Sequence, residues 1–454
     1  MQVITTTFQN RKVCKECSHS HFIPDVENRE RSILNIYPKE KFQTILGFGG
    51  AITDAAAYVY DSLSPNLRRK FLQLCYGSQG LHYILGRMPI DSCDFSLEPY
   101  CADDDEHDVN FQSFSFERPG KYIFPLLDDI LSVQPALKLL LSPWSPPAYM
   151  KNNRSRTGGG RLREDYADRW AKYLCHYLQK LSKRGYPIFA LSVQNEPNAA
   201  QTWDSCLYSA EEERDFLSHH LAKEMRRMNL QDVILTVHDH NKERLFDRVD
   251  TICKDSLADR LVGAAGYHWY SGDHFEALRL VRRKYPDKLL FFTEGCIEYS
   301  CGQKEAQIEN AQRYAREIIF GICAGMNAFF DWNILLNAEG GPNYVNNFCD
   351  APIMVDVKGK ALKTNLSYDY ISHFSRYIMP GAVRLGTTCY DDTLGFCALQ
   401  NPDQSIVAVF LNTGAQKNDA HIRLNGLLAS IKSPANSITT LCISQEELRG
   451  ELSI

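Results

Sequence analysis

Between Phe42 and Tyr377 short apolar runs alternate eight times with longer segments of helical period, and this repetition constrains the fold more than any other feature of the chain. The runs are Gln43–Phe48, Tyr83–Pro89, Leu137–Leu141, Ile188–Gln194, Asp232–His238, Leu261–His268, Lys288–Thr293 and Ala328–Asn333. A helix-period segment follows each. The clearest begins near Glu164, where Tyr166, Trp170, Tyr173, Leu174, Tyr177, Leu178 and Leu181 share one face and Gly185 stops it. Another opens at Ser209 with a capping box to Glu212. Eight strand–helix units over about 335 residues predict a (β/α)8 barrel with long insertions, since open doubly wound sheets more often stop at five or six strands.

After Pro380-Gly381 the pattern changes. Val383–Leu385, Thr393–Leu399, Ser405–Leu411, His421–Leu424 and Ser437–Cys442 alternate with period two, predicting a β-sandwich. Residues 1–41 contain extended runs such as Ser32–Ile36 and no helix, so they are expected to complete that sandwich from the other end of the chain. The expected fold is therefore an α/β TIM barrel over residues 42–378 with an all-β accessory domain from residues 1–41 and 379–454.

A barrel of this type carries its chemistry at the C-terminal ends of the strands. Strand four runs into Gln194-Asn195-Glu196-Pro197 and strand seven into Phe292-Thr293-Glu294-Gly295. Strands four and seven face each other across the mouth, so both carboxylates can address one substrate atom. A retaining glycosidase needs that arrangement: one carboxylate attacks the anomeric carbon, while the other protonates the leaving oxygen and later deprotonates water. Asn195 is placed to bind a sugar 2-hydroxyl. Asp94, Trp144, His268, Tyr270 and Trp332, with Asp331 and Asn333, stand at other strand ends, where aromatic rings can stack on sugar faces and acids can accept hydroxyl hydrogen bonds.

Composition narrows the partners. In 454 residues, 50 basic against 55 acidic side chains give a net charge of −5, which leaves no global field for a polyanion, and nucleic acid is not an expected partner. The longest near-apolar segment, Ile318–Phe330, is far short of the roughly 20 residues of a membrane helix, so no membrane span is expected and the segment reads as a buried helix running into a strand. The first 21 residues hold no apolar stretch of signal-peptide length, and 15 cysteines are an odd, scattered set; a cytoplasmic protein with mostly reduced thiols is expected. Cys14, Cys17, His19 and His21 have ligand-like spacing, but no second Cys/His pair follows, and His238 and His240 read as polar residues at a strand end. The glycine-rich Gly47–Gly50 and Thr157–Gly160 lack the context of nucleotide loops. No metal and no cofactor is expected. The oligomeric state is not legible.

Seven segments in one order, GFGGAITDAAA (47–57), DSCDFS (91–96), SPWSPPAYMK (142–151), VQNEP (193–197), YHWY (267–270), FTEGC (292–296) and DWNILLNAEGGPN (331–343), resemble glycoside hydrolase family 30, above all its acid β-glucosidase or glucosylceramidase branch. The resemblance spans nearly the whole chain and implies a barrel fused to a β-sandwich. It implies Glu196 as acid/base, Glu294 as nucleophile, and Asp94, Trp144, Asn195, Tyr270, Trp332 and Asn347 as sugar-binding residues. It also marks departures: Tyr344 stands where glucosylceramidases usually carry Trp, and Asn346 where they carry a basic residue. The activity expected is that of a retaining β-glucosidase on a glycan or glycolipid. Action on β-1,6-glucan, β-xyloside or β-fucoside is the alternative within the family, and a non-catalytic carbohydrate-binding barrel the alternative outside it. A Schiff-base barrel would need a strand-end Lys, and a metal hydrolase a His-x-His after strand one. Neither is present.

Overall fold

The computed structural model describes residues 1–448 apart from 11, 29–32, 301–304, 357 and 392–393. Eight parallel strands close a barrel: Gly47–Ala51, Leu85–Ile90, Lys138–Pro143, Ile188–Ser192, Ile234–Asn241, Val262–His268, Leu289–Glu294 and Ala328–Asn333. Each pairs with its chain neighbours and the eighth pairs with the first. Seven fall within a few residues of the expected runs. The first does not: Gln43 and Thr44 end an earlier strand, Ile33–Thr44, and barrel strand one is the glycine-rich Gly47–Ala51. The reason is a close approach between strands. A Cβ on Gly49 would overlap the Leu85 carbonyl, and one on Gly50 would meet Ile334 at 2.6 Å. Glycine is depleted in strands generally, so its use here hides the strand from a propensity reading.

The two-residue strand period decides what faces inward. Leu85, Leu140, Ala190, Ala264, Phe291, Ala328 and Phe330 form one cluster that fills the lower barrel, large residues against small. Leu139, Leu141, Leu191, Ala265, Leu290, Phe292 and Phe329 belong to the outer cluster under the helices. Two residues beyond the inward apolar positions the same face turns polar or amphipathic at Arg87, Ser142, Ser192 and Trp332, and on strand six it does so four residues beyond Ala264, at His268. The packed floor and the functional rim are successive positions on the same strands.

The helices obey the sequence pattern. A turn at Glu164–Tyr166 leads into Ala167–Lys183, which buries Trp170, Tyr173, Leu174, Tyr177, Leu178 and Leu181. Ser209 and Glu212 form the capping box. Helix Gln307–Ala324 stops at Gly325, whose φ of 116° is open to glycine, and the chain enters strand eight at Ala328. No helix among the described residues is long and apolar enough to cross a membrane.

A ten-stranded sheet holds strands from both ends of the chain, among them Gln2–Gln9, Lys12–His19 and Ile33–Thr44 beside six strands between Val383 and Ile443. It folds over to enclose Val3, Leu34, Phe396, Phe410, Ile422 and Leu441 in one cluster, which makes it a sandwich. The expected starts at Ser32 and Thr393 lie outside the described residues. Strand Leu427–Ser433 was not legible, because LLASIKS alternates only weakly. Strand Ile406–Asn412 is buried on both faces: Ile406, Ala408 and Phe410 enter the sandwich core, while Val407, Val409 and Leu411 join the barrel core. His373 ties the contact by hydrogen bonds to Thr440 and Thr6 at 2.7 and 2.8 Å. None of the fourteen described cysteines is joined in a disulfide. Cys14 and Cys17 lie three residues apart on an exposed strand and so point to opposite faces, which prevents them from converging on one ion.

Candidate active site

Glu196 and Glu294 meet at the barrel mouth. A carboxylate oxygen of each and a ring nitrogen of His268 all lie within 4.8 Å of one another. Local irregularities aim these groups. Between strands six and seven the pairing steps from Tyr267/Phe292 to His268/Glu294, so Thr293 is the extra residue of a bulge. Between strands six and five it steps from Gly266/His238 to Tyr267/His240, leaving Asp239 unpaired with a φ of 44°. Glu196 itself has a φ of 46°, an uncommon conformation for a side-chain-bearing residue, fixed by hydrogen bonds from its N–H to the Asp239 carbonyl and from Ala199 N–H to its own carbonyl.

Arg87 organises the floor. Fully buried, it donates to Glu294 Oε2 at 2.6 Å, Asn195 Oδ1 at 2.8 Å, Asp239 Oδ2 at 2.9 Å and Ser142 Oγ at 3.1 Å. Its guanidinium also lies over the rings of Trp144 and Trp332, which stack on each other with centroids 5.4 Å apart. Glu294 Oε1 accepts from the Tyr270 hydroxyl at 3.0 Å. Burial raises the Glu294 carboxyl above its usual value, and the Glu196 charge adds to this; the positive charges of His268 and Arg87 oppose it. With a donor on each oxygen, the carboxyl group is held in one orientation.

Glu196 differs. Its Oε1 faces His268 Nδ1 at 3.1 Å, and His268 Nε2 faces Asp239 Oδ1 at 3.2 Å. Burial lifts the Glu196 carboxyl, but the His268 hydrogen bond and the charges of His240, His268 and Arg87 outweigh it and leave the group below its usual value. Burial opposes the His268 proton, yet the Glu294 charge and the hydrogen bonds to Asp239 and Glu196 raise its pKa to about 9. Imidazolium beside carboxylate and imidazole beside carboxylic acid differ only in where one proton sits on that 3.1 Å bond. The two groups therefore titrate as a pair and not singly.

The structure brings Asp94, Trp144, Asn195, Tyr270, Trp332 and Asn347 around the two glutamates in a cavity of about 200 Å³. Asp94 Oδ2 has one weak donor, Asn347 Nδ2 at 3.4 Å, and burial with the charges of Glu294 and Glu196 raises its pKa well above the usual value. A polyhydroxylated ligand would supply the donors it lacks. His268 does not line the cavity: it is fully buried behind Glu196 with both nitrogens engaged. Asp331 accepts from Tyr314 and Asn333 from Thr53, away from the cavity lining. Sequence reasoning missed Arg87 and Asp239. The signal for Arg87 was an arginine inside an otherwise apolar strand; Asp239 was visible only as the residue between two histidines. A larger hollow of about 590 Å³, lined by Asp168, Lys172 and His220, sits against the outer helices and has no part in this site.

Two predictions arise at this site. Arg87→Met should leave Asp239 and Glu294 buried without their cation, lowering stability by about 3–5 kcal/mol in a denaturant melt; an unchanged midpoint would contradict the organising role of Arg87. The pKa of His268 is raised on folding, so its contribution to stability is full below about 6.5 and is lost as pH rises toward about 9. Activity that depends on the shared proton should decline on the same side, and in His268→Asn the alkaline limb of kcat/KM should move to lower pH. A limb that stays in place would detach His268 from the proton.

Residues 45–378 match the glycosyl hydrolase family 30 TIM-barrel domain and residues 381–441 the family's β-sandwich domain. The chain is similar to the lysosomal acid glucosylceramidase of Mus musculus, at 31% identity over 90% of this chain and 82% of the other. Among solved structures it superimposes on SrfJ from Salmonella typhimurium with a TM-score of 0.93 at 34% identity, covering 98% of this chain and all of that one. The endo-β1,6-glucanase BT3312 gives 0.87 at 26% identity, again over 98% of this chain and all of the other.

Proposed function

The chain belongs to glycoside hydrolase family 30, and from that premise we propose that it is a retaining β-glycosidase that removes a terminal β-linked glucose. The observation that supports the retaining mechanism is the separation of the two carboxylates, within 4.8 Å, which leaves no room for a water between them and the anomeric carbon. Glu294, held by Arg87 and Tyr270, attacks that carbon from one face. Glu196 passes the proton it shares with His268 to the departing oxygen, then takes one from the water that releases the sugar. Asp94 and Asn347 accept and donate to hydroxyls of the glucose, Asn195 meets its 2-hydroxyl, and Trp144 and Trp332 bound the ring. A small cavity closed at its floor favours a chain end over an internal unit.

A second reading, hydrolysis of β-1,6-linked glucan, is favoured by the likeness to the endo-β1,6-glucanase BT3312. Initial rates on aryl β-glucoside, β-xyloside and β-fucoside test the primary reading. The glucoside should lead by at least about tenfold in kcat/KM. A leading xyloside or fucoside would overturn it.

A further inference from the structure

Glu298 is a third carboxylate on the cavity wall, four residues after Glu294, and the double displacement has no use for it. Its backbone is fixed. Asp350 N–H donates to the Ile297 carbonyl at 2.8 Å and Tyr299 N–H to the Phe348 carbonyl at 2.9 Å, so residue 298 sits between two hydrogen bonds, opposite Cys349. The period of two then places Cys296 and Glu298 on the cavity side and Ile297 in the core. The Glu298 carboxylate is half-buried and has no hydrogen-bond partner among the described residues.

The cavity has two zones. Its floor, Asp94, Trp144, Asn195 and Trp332, is buried; its rim, Gln201, Trp203, Asn241 and Glu298, is partly exposed. Gln201 and Trp203 follow Glu196 on the same loop. Because Glu196 protonates the leaving oxygen, the rim around it is where the leaving group lies. An indole face with an amide and an unpartnered carboxylate is the chemistry of a sugar subsite. An acyl chain set against Glu298 would strip water from a charge and return no donor.

We propose that Glu298 selects the leaving group, accepting hydrogen bonds from hydroxyls of a sugar in the aglycone position. Burial, followed by the charges of Glu294 and Glu196, raises its pKa, which agrees with an acceptor short of donors until a ligand arrives. This inference rests on the β-glucosidase reading, and its test separates the two.

Wild type, Glu298→Gln and Glu298→Ala are assayed on 4-nitrophenyl β-glucoside, on gentiobiose and on glucosylceramide in detergent micelles. The loss of a hydrogen bond to a charged group should lower kcat/KM for gentiobiose by about tenfold or more in Glu298→Ala, and by less in Glu298→Gln, which keeps a carbonyl acceptor. The aryl glucoside and glucosylceramide should change by no more than about twofold. Equal losses on all three substrates would make Glu298 structural and overturn the proposal, as would wild type that cleaves the aryl glucoside but not gentiobiose, or a loss confined to glucosylceramide. Wild type inactive on every substrate would instead overturn the β-glucosidase reading, and this proposal with it.

Discussion

Glu294→Gln should lose turnover on the order of 10⁴- to 10⁶-fold, on activated and natural glucosides alike, because no nucleophile remains. The substitution keeps the side chain's size. Arg87 and Tyr270 would still hold it, so the fold and sugar binding should survive while the chemistry does not. The check is a pair of measurements: kcat on both substrate types, and retained binding of a glucose-like inhibitor. Turnover within tenfold of wild type would remove Glu294 from the reaction.

Glu196→Gln should behave differently because its role depends on the leaving group. An alkyl or sugar alcohol departs only with a proton, and loss of the acid should cost about 10²- to 10⁴-fold there. A nitrophenolate leaves without help, so cleavage of the first bond should fall far less. Release of the sugar would still suffer, since water then lacks its base, and a small anionic nucleophile such as azide should restore the rate. Equal losses on both leaving groups, with no rescue by azide, would contradict the assignment. His268 and Asp239 bear on the same step through the proton that His268 shares with Glu196.

Much of this was legible in the chain because two periods reported it. The repeated alternation identified the barrel, and the position of Glu196 and Glu294 just beyond apolar runs was enough to place them at one mouth. Strand one was obscured by glycines that admit close neighbours, Leu85 of strand two at Gly49 and Ile334 at Gly50, a property of the contacts and not of the segment. Asp239 reaches the site only because a bulge shifts it by one residue, and strict alternation cannot anticipate a bulge. His268 illustrates a different limit. Its strand-end position was readable, but whether it would touch sugar or stand behind Glu196 depended on what filled the space beside it. Arg87 was visible as an anomaly in an apolar strand, without a sign of the four groups it gathers. Glu298 carried no signal, since its exposure to the cavity comes from pairing with residues 348–350, some fifty positions away.

The proposed reaction is a double displacement by two carboxylates too close to admit water between them. The most direct test follows the anomeric proton by NMR during rapid hydrolysis of an aryl β-glucoside, before the free sugar mutarotates. Two inversions predict that β-glucose forms first and the α-anomer grows in only afterwards. If α-glucose were the first product, the reaction would be a single displacement, and Glu294 could not be its nucleophile nor Glu196 the acid that later serves as base.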